Sequence, residues 1–400
     1  MGFELIENNE KKKVGDTSFL DVKTARAVRK YHATFPQYQK TPLRRLSSLA
    51  AALGVKDIYV KDESFRFGLN AFKVLGGSYA IGTVIAKKLG IPPEALTYGL
   101  ITSEETKKAL GPVTFISATD GNHGRGVAWS ARELGQKSVI YMPKGSAKER
   151  YDNIVSCGAS CTITDLNYDD AVRKADADAK ENGWVLVQDT SWPGYEEIPR
   201  AIMQGYTTLS LETYEQLDGV IPSHIFLQAG VGSFASSATA FFTEAFGKEH
   251  KPVITIVEPN EAACIYKTMK AADGKLHPVT GDMNSIMAGL CCGEPVTVGI
   301  DILRTYADYF ISEPDYAAAD GMRVLSSPLG ADERIVSGES GAAAFGAAYE
   351  LLTDKALSSC KEKLGLDESS VLLFVSTEGA TDRVNYRNIV WNGAYARPVV

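Results

Sequence analysis

Along this chain, short runs of aliphatic and β-branched residues alternate with longer stretches in which apolar positions return every three or four residues. The short runs are Asp57–Lys61, Val113–Ala118, Ser138–Met142, Ser160–Thr164, Val185–Gln188, His224–Gln228, Val253–Val257 and Val371–Val375, and they are predicted as strands. Several are apolar without alternation, the pattern of parallel strands covered on both faces. The longer stretches Ala71–Leu89, His123–Leu134, Ala147–Cys157, Tyr168–Asn182, Phe234–Phe246 and Gly341–Thr353 are predicted as helices between them. Alternation of this kind marks an α/β layered fold. Proline-containing, turn-rich passages at Gly90–Gly111 and Ser191–Pro199 interrupt it. Four hundred residues exceed the roughly 250–300 that one core usually holds, so these passages are read as lobe crossings. They divide the chain into a large lobe of residues 1–85 and 200–400 and a small lobe of residues 86–199.

Composition narrows the function classes. Hydrophobic residues make up 44% and charged residues 23%, the balance of an ordinary globular protein. Lys plus Arg number 42 against 49 Asp plus Glu, a net −7 with no basic stripe for nucleic acid. The opening MGFELIENNEKKK lacks a signal peptide's apolar run, and Ile6 stands where a myristoylation signal needs a hydroxyl residue. No apolar stretch approaches the roughly 18 residues of a membrane span. The expectation is a cytoplasmic protein without nucleic-acid or membrane partners. Six cysteines are too few for a disulfide scaffold. Cys157 and Cys161 have no second Cys or His pair nearby, so no metal is expected.

Three loops carry candidate chemistry, each following a strand and leading into a helix, where ligands of open α/β sheets collect. In the first, Lys61-Asp62-Glu63-Ser64 runs on to Gly68-Leu69-Asn70-Ala71-Phe72-Lys73. Lys73 opens a helix among apolar neighbours, and both the helix dipole and desolvation favour a reactive neutral amine there. Taken alone, such a lysine is more often a snorkelling surface residue. The second loop is Thr119-Asp120-Gly121-Asn122-His123-Gly124, whose small residues expose backbone N–H groups at a helix start. Asn122 and His123 either bond a ligand or cap the helix. Asp120 is out of place in an anion-binding turn, so it caps the helix or meets a cationic part of a substrate. The third loop, Gln228-Ala229-Gly230-Val231-Gly232-Ser233, permits close backbone approach and adds a hydroxyl. It lacks the full dinucleotide fingerprint, which weakens a nicotinamide-dependent oxidoreductase. Gly338-Glu339-Ser340-Gly341 has the wrong spacing for a nucleophile elbow.

The motifs Asn70–Lys73, Asp120–Gly124, Gly230–Ser233 and Val375–Gly379 fall in one order, from about Thr41 to Trp391. In that order the chain resembles the tryptophan-synthase-β-like, fold-type-II enzymes that use pyridoxal 5'-phosphate, among them the serine and threonine dehydratases. Longer segments resemble the diaminopropionate ammonia-lyase branch: VKDESFRFGLNAFKVLGG, TDGNHGRGVAW, YMPKGSAKER, VQDTSWPGY, IVEPNEAACIY, MAGLCCGEP, SGESGA and STEGATD. Dehydratases usually place a hydroxyl residue where this chain has Asp120.

The resemblance implies two α/β/α lobes with mostly parallel sheets, a homodimer, and elimination of ammonia from a small amino acid, 2,3-diaminopropionate, to pyruvate and two ammonia. It implies that Lys73 carries the cofactor and that Asn122 bonds its ring oxygen. Ala229, Gly230, Val231, Gly232 and Ser233 hold the phosphate, and Ser376 or Thr377 faces the pyridine nitrogen. A second ammonium on the substrate calls for carboxylates, for which Asp120 and Asp189 are the candidates. Lys73 and Asp120 then serve as bases for the L- and D-isomers on opposite cofactor faces. Cys264 and Cys292 lie in family-like segments and are expected to form a disulfide or to lie close, with Cys291 a competing partner. Two buried reduced thiols are the plainer expectation in a cytoplasmic enzyme.

Overall fold

The computed structural model describes residues 2–10, 15–119 and 121–398. Among them the strands are β1 (Glu4–Glu7), β2 (Leu43–Arg45), β3 (Asp57–Asp62), β4 (Thr114–Ala118), β5 (Lys137–Met142), β6 (Ser160–Ile163), β7 (Val185–Leu186), β8 (His224–Gln228), β9 (Val253–Pro259), β10 (Tyr309–Glu313) and β11 (Val371–Ser376). Seven make one sheet in the order β1-β10-β9-β8-β11-β3-β2, and four make a second, β6-β5-β4-β7. The five central strands of the larger sheet run parallel, with antiparallel β1 and β2 at its edges. The smaller sheet is parallel throughout. The fold is therefore mixed α/β with mostly parallel sheets.

Strands β3, β8 and β11 are buried along their whole length, which is why their sequences show no alternation. Strand β7 is shorter than its apolar run. Val187 still donates to Ile116, but the Gln188 N–H turns to the Tyr195 hydroxyl at 2.8 Å, and the ladder ends there. Strands β1, β2 and β10 carry little apolar pattern of their own. β2, Leu-Arg-Arg, exists through its register on β3.

The helix Glu197–Gln216, unread in the sequence, starts inside the passage taken as a crossing. Pro199 lies in its first turn, where a backbone N–H has no helical acceptor to lose. This helix presses on the helix Val74–Leu89 at glycine: a Cβ at Gly205 would stand 2.3 Å from the Leu75 carbonyl oxygen. From another side, a Cβ at Gly126 in the helix Asn122–Glu133 would stand 2.9 Å from the Val74 Cα. The helix that follows Lys73 is thus held between two neighbours at backbone contact. One apolar cluster reaches both sheets, joining Phe115 and Ile140 of the smaller to Ile225 and Ile254 of the larger.

Candidate active site

Lys73 directly precedes the helix Val74–Leu89, and the segment that delivers it is irregular. After β3, Asp62 accepts from the Ser64 N–H at 3.1 Å, and Phe67 and Asn70 take positive φ of 50° and 59°. The Asn70 carbonyl accepts from the Gly379 N–H at 3.0 Å and Phe72 donates to the Thr377 carbonyl at 3.1 Å. This lays the Lys73 segment along the loop after β11. The Phe72 ring packs against Tyr206 at 4.7 Å and Phe234 at 4.9 Å.

Beneath the segment lies a closed set of charges on Lys61, Glu63, Arg66 and Glu212, all fully buried. Arg66 donates to Glu63 at 2.8 Å and to Glu212 at 2.7 Å, while Lys61 donates to Glu212 at 2.9 Å, Gln216 at 2.7 Å and the Thr41 carbonyl at 2.8 Å. Burial alone would raise the Glu212 carboxyl, but Arg66 and Lys61 hold it below its ordinary range. Buried charges persist only when paired and hydrogen-bonded, and these are. The set anchors the turn between β3 and Lys73 to the helix Glu197–Gln216.

Lys73 faces a cavity of about 680 Å³, counting its open mouth, at the carboxyl ends of β8 and β11. Its Nζ donates to the Asp189 carboxylate. Asp189, 2% exposed, also accepts from the Tyr168 hydroxyl at 3.3 Å. Burial would raise its carboxyl, but the His123 ring, which carries charge only in acid, the Lys73 ammonium and the Lys73 and Tyr168 donors outweigh that and hold it well below the usual range. His123 lies 3.8 Å from Asp189 through Nδ1 and 2.8 Å from the Val187 carbonyl through Nε2. Asn122 lines the cavity with its amide bonded to the Glu378 carboxylate.

The loop after β8 forms one wall. Gly232 takes φ of 100° at the N-cap of the helix Ser233–Phe246, which carries no side-chain cap, so the helix start faces the cavity open to an anion. A Cβ at Gly230 would stand 3.2 Å from the Leu290 Cα and the Cys292 Sγ, leaving room there for glycine. Two donors expected from this loop are spent elsewhere. The Ala229 N–H goes to the Val257 carbonyl at 2.8 Å, and the Ser233 hydroxyl goes to the Asp189 carbonyl. Ala229 and Ser233 line the cavity beside Gly230, Val231 and Gly232.

Thr377 also lines the cavity, its hydroxyl oxygen accepting from Gln228 at 3.0 Å and its proton left to donate. Ser376 is not brought in: its side chain is turned to the Ser337 hydroxyl at 2.8 Å, because neighbours on a strand end point to opposite faces. Asp120 lies outside the described residues. No disulfide joins Cys264 and Cys292; both are buried and lie close together against Gly230. The expected disulfide is thereby corrected to the plainer reading of two reduced thiols.

The sequence reading missed Tyr168, Glu378 and the buried set under Lys73. Tyr168 begins the helix Tyr168–Asn182, and no local motif marks it. Lys61 and Arg66 were visible as charges in an apolar context, but their partner Glu212 lies about 150 residues away.

The residues present suit a phosphorylated aldehyde: a half-buried amine beside a buried carboxylate, an uncapped helix start behind glycines that a Cβ would block, and a hydroxyl donor opposite. The family model described as "Pyridoxal-phosphate dependent enzyme" matches residues 34–365. A diaminopropionate ammonia-lyase of Salmonella typhimurium is 49% identical over 98% of this chain and 100% of its own length. The holo diaminopropionate ammonia lyase of Escherichia coli superposes with a TM-score of 0.92 at 45% identity, covering 100% of this chain and 99% of that one. The same enzyme in complex with D-serine superposes with a TM-score of 0.91 at 44% identity over 98% of each chain.

Proposed function

The chain belongs to the pyridoxal-phosphate-dependent enzymes, and from that premise we propose that it eliminates ammonia from 2,3-diaminopropionate to give pyruvate and a second ammonia. The observation that carries this reading is the Lys73–Asp189 pair inside a cavity walled by the Ala229–Ser233 loop. When bound, the cofactor supplies a conjugated electron sink for the electron pair left at Cα.

The residues divide the remaining work. Lys73 holds the cofactor covalently, and once displaced by substrate its amine stands ready to take the Cα proton of the L-isomer. Asp120, placed by sequence in the turn before Asn122, takes that proton from the opposite face in the D-isomer. Asp189 stays ionised in its buried position, so it binds the β-ammonium that a serine hydroxyl cannot imitate. The N–H groups of Gly230 to Ser233 bind the phosphate, and the Thr377 hydroxyl donates to the pyridine nitrogen. The Asn122 amide, steadied by Glu378, meets the ring oxygen.

Residues 1–85 with 200–400 make up the large, cofactor-binding lobe, and residues 86–199 the small one. A homodimer and residence in the cytoplasm complete the reading.

The experiment is pyruvate release from D- and L-diaminopropionate beside D- and L-serine. Diaminopropionate should be turned over faster than either serine. Borohydride should fix the cofactor on Lys73, and Lys73→Ala should lose both this attachment and turnover. Faster release from serine, or trapping on Lys61 or Lys144, would defeat the assignment.

A further inference from the structure

His123 is left over from that division of work. It is 2% exposed, it lines the cavity with Lys73 and Asp189, and its two ring nitrogens have different surroundings. Nε2 lies 2.8 Å from the Val187 carbonyl oxygen, which only accepts, so Nε2 carries a hydrogen. Nδ1 has no hydrogen-bond partner among the described residues and lies 3.8 Å from Asp189 Oδ2. Burial and the Lys73 ammonium disfavour the charged ring more than Asp189 favours it, so Nδ1 presents a lone pair. Asp189 Oδ2 has the Lys73 ammonium as its donor, so Nδ1 alone is left a buried acceptor without one, which costs energy until a donor reaches it. A second ammonium beside the pair, about 2.8–3.0 Å from each atom, would serve both when Lys73 is engaged by the cofactor.

We propose that His123, through Nδ1, is the second acceptor for the substrate's β-ammonium and so helps select a diamino acid over a hydroxy amino acid; this rests on the elimination reading above. An ammonium has three N–H donors and serves Nδ1 and Asp189 at once, whereas a serine hydroxyl has one proton and leaves one acceptor unpaired. The arrangement also suits departure. The Cα–H electron pair becomes the Cα=Cβ bond, and the Cβ–N pair leaves on nitrogen, so the β-nitrogen departs as ammonia with the three protons it already holds. Acceptors that bind those protons without removing them are what this step requires.

Two substitutions separate the ring nitrogens. His123→Gln carries an amide to about the Nε2 position and empties the Nδ1 position, while His123→Asn places an amide oxygen near Nδ1. In the holoenzyme, His123→Gln should raise KM for diaminopropionate by about 10–100-fold, the worth of a hydrogen bond to a charged group, with KM for D-serine changed less than about twofold. His123→Asn should restore most of the discrimination. Independently of turnover, nitrogen-15 spectra of histidine-labelled holoenzyme should show an unprotonated Nδ1 that shifts with methylammonium and not with methanol. A protonated Nδ1, or equal loss on both amino acids in His123→Gln, overturns the proposal while the elimination reading stands. A wild-type enzyme that releases no pyruvate from diaminopropionate defeats the elimination reading, and the proposal with it.

Discussion

At the residue scale, what was legible is what lies next to its own motif. The Gly230–Ser233 loop contains the glycines that line the cavity, and Lys73 stands at the start of a predicted helix within its own motif, so local pattern pointed to both. His123 and Asp189 are 66 residues apart and meet because β4 and β7 are neighbours in the smaller sheet. Asp189 was found through the charge expected of the substrate, not through local pattern. Ser376 and Thr377 could not be told apart in sequence, since either hydroxyl satisfies the chemistry and the end of β11 decides which faces the cavity. Asp120 gives the sharpest test here. Asp120→Asn keeps the shape of the side chain and removes a base, so activity on D-diaminopropionate should fall by about 10²–10⁴. Activity on the L-isomer should fall less, because Lys73 supplies the base on the other face. Both isomers measured on one preparation decide the matter: equal loss makes Asp120 a binding group, and no loss makes it a helix cap.

At the element scale, each strand predicted from an apolar run forms in whole or in part. The runs of β3, β8 and β11 are plain because those strands are buried throughout, whereas β6 is largely exposed and β7 keeps two residues of its run. The edge strands β1 and β2 and the helix Glu197–Gln216 were not legible, as short charged segments and a proline hide elements that tertiary contact stabilises. That helix matters to the site through Gly205. A methyl group there would meet the Leu75 carbonyl oxygen at 2.3 Å and the Gly76 Cα at 2.7 Å, both backbone atoms of the helix that follows Lys73. Neither atom moves without the helix. Gly205→Ala should therefore lower unfolding free energy by about 1–3 kcal/mol, the usual toll of overpacking. It should also weaken cofactor binding, because relief displaces the helix start beside Lys73. Urea unfolding with a cofactor titration measures both, and a variant as stable and as tightly loaded as wild type would show the two helices to be less closely joined.

At the scale of the whole molecule, the chain keeps acids and bases where water does not reach, and its pH dependence follows from them. Burial raises the Glu258 carboxyl to about 8, although it accepts from the Ile265 N–H at 2.9 Å and the Tyr266 N–H at 2.6 Å. Burial, then the charge of Glu378, raises Glu339 to about 7, and burial raises Glu313 as well. An ordinary Glu side chain in the unfolded chain titrates near 4.5. Between that value and the folded one, the native state holds protons that the unfolded chain has released, so stability falls as pH rises. The buried histidines act in the opposite sense. Burial lowers His32 to about 3, with the Arg66 charge adding to it, and burial lowers His123 and His224 too. The unfolded chain therefore binds the extra protons below about 6.5, and acid costs stability there. From pH 5 to about 7.5 the two effects oppose each other. Above about 7.5 the histidines of the unfolded chain are about nine-tenths neutral as well and the carboxyls act nearly alone, so stability should decline from there to about 8.5. One proton corresponds to a slope of about 1.4 kcal/mol per pH unit at most. Glu258→Gln resembles the protonated side chain and should flatten the decline. Urea midpoints of both proteins at pH 7.5 and 8.5 test this, and parallel declines would mean that Glu258 is already ionised at the lower pH.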